Sequence, residues 1–148
     1  MVNIMKLSIF ERVMYIGIIC YQKVSAYSTY SYHIINKSAP FAWGDRLQGT
    51  STCKTAWQNA LSDWYNASGA YIYNSSSSSS TLNTFNQTSS TLYGQTTFTL
   101  NGNKIETFAA KLNVGNTSIY NANVARSTAN HEIGHLLGLN DISSGTAI

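Results

Sequence analysis

Hydrophobic and polar positions follow two different periods along this chain. They alternate over residues 28–35 and again over residues 70–73, which predicts two strands. Residues 52–65 instead carry apolar side chains at helical spacing, which predicts an amphipathic helix whose tryptophan face packs on a sheet. The apolar stripe of this helix consists of Cys53, Trp57, Ala60, Leu61 and Trp64.

The second half of the chain predicts a hairpin and another helix. Residues 96–100 and 104–114 are strand-like, and the Asn-Gly dipeptide between them suits a tight hairpin turn. Residues 123–139 predict a helix that ends at Gly138, because glycine tolerates the left-handed conformation that ends helices.

A low-complexity stretch separates the second strand from the hairpin. Residues 75–80 are all serine, and the sequence stays rich in Ser, Thr and Asn up to residue 90. This composition predicts a solvated, mobile loop, with a linker or a flap over a site as the alternative interpretations.

The most informative segment lies at the end of the last predicted helix. His131 and His135 are four positions apart, so they project from one helical face and can share a metal ion. A catalytic zinc usually takes three protein ligands and one water, and Asp141 is the candidate for the third after a sharp turn at Gly138. Glu132 is rotated off the ligand face, where it can hold the zinc-bound water and take its proton.

Such a histidine pair can also arise by chance on an amphipathic helix. The whole chain has three histidines, however, and two of them fall in this pattern. Because Gly138 and Asp141 match independently at the positions that a third ligand needs, we interpret the segment as a zinc site.

The segment has the form HExxHxxGxx(H/D), which resembles the extended motif of the metzincin metallopeptidases. The version of this motif with aspartate at the third ligand position resembles that of the small secreted bacterial snapalysin-type enzymes. Residues 94–98 and 111–113 are similar to stretches of bacterial matrixin-like peptidases, and the likeness extends over residues 27–148. The resemblance implies an α+β domain in which a twisted mixed sheet of about five strands packs on two helices, with the zinc-site helix near the C-terminus.

The resemblance has two further implications. One strand next to the cleft pairs with extended substrate, and residues 107–113 are the candidate, although an interior strand is the alternative. A methionine-containing turn follows the third ligand, whereas the methionines here are Met1, Met5 and Met14. Residues 144–148 are similar to the approach to that turn, so we expect a chain truncated before the Met-turn and missing the C-terminal subdomain.

Residues 1–26 have the pattern of a signal peptide. Lys6 and Arg12 precede an uncharged apolar run, and Val24-Ser25-Ala26 has the small residues that signal peptidase requires. The run is about half of the roughly 20 residues needed to span a bilayer, so a membrane anchor is disfavoured. An amphipathic or buried N-terminal segment is the alternative. We expect a secreted protein with no membrane association after cleavage.

The charge and the cysteine content of the chain argue against nucleic-acid binding and against an internal disulfide. Cleavage of the predicted signal peptide removes three of the nine basic residues and one of the six acidic ones. The rest of the sequence has no basic stripe of the kind that nucleic-acid binding requires. Cys53 is then the single cysteine and cannot form an internal disulfide. We interpret it as a buried small hydrophobe rather than a latency thiol on the zinc. We expect a monomer.

The sequence thus predicts a secreted zinc endopeptidase that acts on extended protein or peptide substrates. Its zinc ligands are His131, His135 and Asp141, with Glu132 as general base. One alternative is an inactive truncated remnant or pseudoenzyme that binds zinc. Another is a non-catalytic glycan- or peptide-binding module, although such a module has no need of Glu132. The sequence singles out no residues for a structural calcium ion.

Overall fold

Two helices pack against one face of a five-stranded mixed sheet in this computed structural model, which describes residues 28–47 and 51–141. The predicted α+β class, with about five sheet strands and two helices, is confirmed. The predicted signal peptide and the approach to the Met-turn lie outside the described residues. No helix in the described ranges is long and apolar enough to cross a membrane.

The first helix, α1, spans Ser51–Ser68 and is longer than the predicted residues 52–65. Its apolar stripe faces the core, where Trp57 is fully buried and its Nε1 donates to the carbonyl oxygen of Asn83 on the sheet at 3.2 Å. Cys53 is 1 % exposed in the same core, which confirms its predicted burial.

The second helix, α2, spans Ala122–Leu136. It begins where the Asn121 side chain accepts hydrogen bonds from the backbone N–H groups of Asn123 and Val124, which lack partners within the helix. The predicted range, residues 123–139, extended too far at its C-terminal end, although Gly138 has a φ of 91° and turns the chain away just after the helix, as predicted. A partly buried ion pair between Asp63 on α1 and Arg126 on α2, at 2.6 Å, joins the two helices.

The prediction of one strand over residues 28–35 was wrong. Ser28–Thr29 forms a two-residue strand, β1, and a single 3-10 turn follows at Ile35–Lys37. Positive φ angles at Asn36 (53°) and Lys37 (55°) interrupt the extended backbone, so the sheet strand β2 begins only at Ser38 and runs to Trp43. We call residues 28–34 the N-terminal strap, because none of them belongs to a strand of the five-stranded sheet, and only an isolated bridge between His33 and Lys104 connects them to β6.

The prediction of an unstructured loop over residues 75–90 was wrong in its middle. The predicted second strand is present as β3, Tyr71–Asn74, and a further strand, β4, spans Thr81–Phe85. Leu82 and Thr84 are buried on one face of β4, so tertiary burial overrides a composition typical of loops.

The predicted hairpin is confirmed. Strands β5, Gly94–Asn101, and β6, Lys104–Asn113, pair antiparallel around a turn in which Gly102 has a φ of 61°. The sheet order is β3-β2-β4-β6-β5, so β6 is bonded on both sides. The assignment of residues 107–113 to a substrate-pairing edge was therefore wrong, and β5 is the edge strand at this end of the sheet.

Candidate metal centre

Two consecutive turns of α2 and the chain just after it bring three metal-binding side chains together. Nε2 of His131 lies 3.0 Å from Oδ1 of Asp141, and Nε2 of His135 lies 3.7 Å from the same oxygen. One ligand atom from each residue falls within 4.8 Å of the others, close enough to bind one metal ion. The structure thus assembles the three residues that the spacing predicted.

The turn after α2 returns Asp141 to the histidines. The N–H of Gly138 donates to the carbonyl oxygen of His135 at 3.1 Å, and Leu139–Asn140 then forms a short strand, β7. A side chain at position 138 would be strained by the positive φ, and its Cβ would lie 3.3 Å from the carbonyl oxygen of Tyr32. Glycine at this position is therefore part of the geometry that places Asp141.

The N-terminal strap holds this turn in place. Strand β1 pairs antiparallel with β7, and the N–H of Tyr30 donates to the carbonyl oxygen of Gly138 at 2.7 Å. The N–H of Ile34 donates to the carbonyl oxygen of Leu136 at 2.9 Å. Asp141 is thus positioned by the N-terminal strap, which is the part of the described chain most distant from it in sequence.

A main-chain carbonyl orients one of the imidazoles. Nδ1 of His135 lies 2.8 Å from the carbonyl oxygen of Leu139. A carbonyl oxygen only accepts hydrogen bonds, so Nδ1 carries the proton, and in the neutral ring Nε2 keeps its lone pair on the side of Asp141. Metal-binding histidines in proteins are usually oriented in this way. The donor set therefore fits a divalent metal ion of the kind that binds imidazole and carboxylate.

Glu132 is buried beside the ligands and does not join them. It is 4 % exposed, and its Oε2 accepts a hydrogen bond from the Thr96 hydroxyl on β5 at 2.6 Å. Burial raises the pKa of the Glu132 carboxyl above its ordinary value, and the hydrogen bond from Thr96 opposes part of that shift. A carboxylate with a raised pKa is a stronger base than one in water, so this side chain is suited to accept a proton.

A cavity of about 750 Å³ opens over these groups. Its wall is formed by the edge strand β5 and the segment before it, by α2 and by Tyr30 of the strap. Apart from Glu132 and the three candidate ligands, no charged side chain among the described residues lines it. The other lining residues are Tyr30, Thr91, Leu92, Tyr93, Gly94, Gln95, Thr96, Phe98, Ser127 and Thr128.

The sequence did not indicate the roles of Tyr30, Gly94 and Thr96. The Tyr30 ring stacks on that of Tyr32 with centroids 4.5 Å apart, and it lies 6.3 Å from the His135 ring. Burial raises the pKa of the Tyr30 hydroxyl, and the nearby Tyr32 and Asp141 act in the same direction. Residues 94–98 were singled out as a similar stretch, but strand periodicity gave no sign that two of them face Glu132.

Comparison of this chain with protein-family models, with curated proteins and with solved structures finds no match.

Proposed function

We propose that this chain is a zinc-dependent endopeptidase of the metzincin type that hydrolyses peptide bonds in extended protein substrates. One observation carries the proposal. Two imidazole nitrogens and a carboxylate oxygen converge within 4.8 Å at the floor of an open cavity, and a buried carboxylate that is not a ligand lines the same cavity. This is the arrangement that metal-assisted hydrolysis of an amide requires.

The donor set favours zinc as the metal. Two histidines and one carboxylate form an established ligand set of catalytic zinc sites in peptidases. When bound, zinc supplies a Lewis acid that polarises a carbonyl group and acidifies water. His131 is about half exposed on the cavity side, whereas His135 is 12 % exposed and anchored to Leu139. The site thus combines a rigid ligand with an open side for substrate.

Glu132 has the part of general base and then general acid in this proposal. Its carboxylate takes one proton from the attacking water as the new C–O bond forms. It then delivers that proton to the leaving nitrogen as the C–N bond breaks, so the carboxylate is regenerated. Burial raises the pKa of this carboxyl, which makes the carboxylate a stronger base for the first of these transfers.

Strand β5 is the proposed binding strand for substrate. It is the sheet edge that borders the cavity, and an extended peptide can add to such an edge through main-chain hydrogen bonds. Main-chain pairing is independent of side-chain identity, which suits an enzyme that acts on many proteins. Export through residues 1–26 belongs to the same proposal, since proteins outside the cell are then the available substrates.

The direct test is hydrolysis of casein by the full chain loaded with one equivalent of zinc. We expect hydrolysis that is abolished by 1,10-phenanthroline and restored by added zinc. The non-chelating isomer 1,7-phenanthroline is the control and is expected to have no effect. A protein that binds one zinc and leaves casein and other unfolded proteins intact would contradict the proposal and favour the non-catalytic alternative.

Asp141→Ala is expected to weaken zinc binding without unfolding the chain. Loss of an outer partner of a ligand already costs about 10–100-fold in affinity, so loss of the ligand itself is expected to cost at least about 100-fold. Asp141 is 65 % exposed, so alanine there leaves no buried group without a partner. Competition with a chromogenic chelator measures the affinity, and Asp45→Ala, at another exposed aspartate, is the control. Equal affinity in wild type and Asp141→Ala would exclude Asp141 as a ligand.

A further inference from the structure

We propose that Thr96 is a positioning residue that holds the Glu132 carboxylate toward the cavity through its hydroxyl group. This inference rests on the proposed function, because it assigns Glu132 the role of base. It adds a residue that lies 36 positions away in sequence and that no motif indicates.

The hydrogen bond itself is the first support. The Thr96 hydroxyl lies 2.6 Å from Oε2 of Glu132 and 3.3 Å from its main-chain carbonyl oxygen. A hydroxyl has one proton to donate, so the shorter contact to the carboxylate receives it. Distances of this size are typical of hydrogen bonds to ionised acceptors, which are stronger than neutral ones. The contact is shielded from competing water, since Glu132 is 4 % exposed.

Gly94 restricts the other carboxylate oxygen. A Cβ atom built at Gly94 would lie 2.6 Å from Oε1 of Glu132 and 2.8 Å from Cγ2 of Thr128. The Glu132 carboxylate therefore occupies the space that a side chain at position 94 would need. One oxygen rests against the backbone of β5, and the other is held by a hydroxyl two residues further along the same strand.

The contacts with Thr96 and Gly94 restrict rotation of the Glu132 carboxylate. The terminal torsion of glutamate is broad, so an unrestrained carboxylate would rotate away from a reacting water. Threonine is stiff about its first torsion, and its backbone is fixed in the ladder with β6, where it pairs with Ala110. Because β5 is also the proposed substrate strand, the base and the peptide would be held in register by one element.

The test compares Thr96→Val, which keeps the shape and removes the hydroxyl, with Thr96→Ser, which keeps the hydroxyl. For hydrolysis of a casein-derived peptide by the zinc-loaded chain, we expect Thr96→Val to lower kcat by about 10–100-fold, because a 1 Å misplacement of a reacting group can cost up to about 100-fold. KM and zinc content are expected to stay within about twofold. Thr96→Ser is expected to recover most of the lost kcat.

Thr117→Val is the matched control, because Thr117 is an exposed threonine that lies outside β5 and does not line the cavity. It is expected to leave kcat unchanged. If Thr96→Val retains wild-type kcat, or if Thr96→Ser is impaired as severely as Thr96→Val, the positioning role is excluded while the proposed function stands.

A wild type that hydrolyses nothing would count against the proposed function alone. In that case, a stability measurement tests the contact between Thr96 and Glu132. The urea midpoint of unfolding is measured for Thr96→Val in the wild-type chain and in a Glu132→Ala chain. We expect a lowered midpoint in the wild-type background and a much smaller change once the carboxylate is absent. Equal shifts in both backgrounds would show that the two side chains are not coupled, which overturns the inference.

Discussion

Glu132→Gln is expected to lower kcat for peptide hydrolysis by about 10²–10⁴-fold, the usual contribution of a positioned general base. Glutamine has nearly the same size, and its amide oxygen can still accept the hydrogen bond from Thr96. It cannot take a proton from water, so the loss is chemical rather than structural. Steady-state kinetics with a fluorogenic peptide measures kcat, and metal analysis of the same sample is expected to show unchanged zinc.

The matched control is Glu106→Gln, at an exposed glutamate on β6 outside the cavity lining. It is expected to match the wild type in both kcat and zinc content. Two results would count against the mechanism. Full activity in Glu132→Gln would show that another group moves the proton, and loss of zinc in that variant would show that Glu132 contributes to the metal site.

His135→Ala is expected to remove the metal and with it all measurable hydrolysis. This imidazole is the most buried of the three candidate ligands and is held by the carbonyl oxygen of Leu139, so water cannot easily replace it with the same geometry. Zinc content is expected to fall from about one per chain to near zero. The loss of activity is expected to equal or exceed that of Glu132→Gln, because both the Lewis acid and its orientation are lost.

The third histidine of the chain supplies the control. His33 is exposed and outside the cavity lining, so His33→Ala is expected to keep both zinc and activity. Metal analysis after dialysis and the peptide assay are made on the three proteins together. Retention of one zinc in His135→Ala would show that the ion is bound elsewhere, and the assignment of the ligands would be wrong.

Local signals in the sequence were sufficient for the parts of the fold that form from neighbouring residues. The first helix was predicted because its apolar stripe repeats within a few turns, the end of the second because glycine ends helices, and the hairpin because Asn-Gly favours a tight turn. Strand β4 was missed because the burial of Leu82 and Thr84 depends on residues far away in the chain. The position of β6 inside the sheet was also not predictable, since strand order is set by long-range pairing.

In the candidate site, too, the sequence predicted what depends on local spacing and missed what depends on the tertiary fold. His131, His135 and Asp141 were found because helix geometry and one turn fix their spacing. The sequence did not indicate the groups that hydrogen-bond to His135 and Glu132. The carbonyl oxygen of Leu139 is main chain, which every residue has, and Thr96 meets Glu132 only after β5 has docked beside α2.

The pairing of β1 with β7 joins parts of the chain roughly 110 residues apart, which gives it the longest sequence separation in the described fold. Contacts of this kind are costly in chain entropy, so the helix that carries both histidines is expected to form before the turn that delivers Asp141 is secured. A metal ion bound by all three residues would then stabilise contacts that are absent from the folding transition state. In kinetic terms, it would slow unfolding and leave the folding rate nearly unchanged.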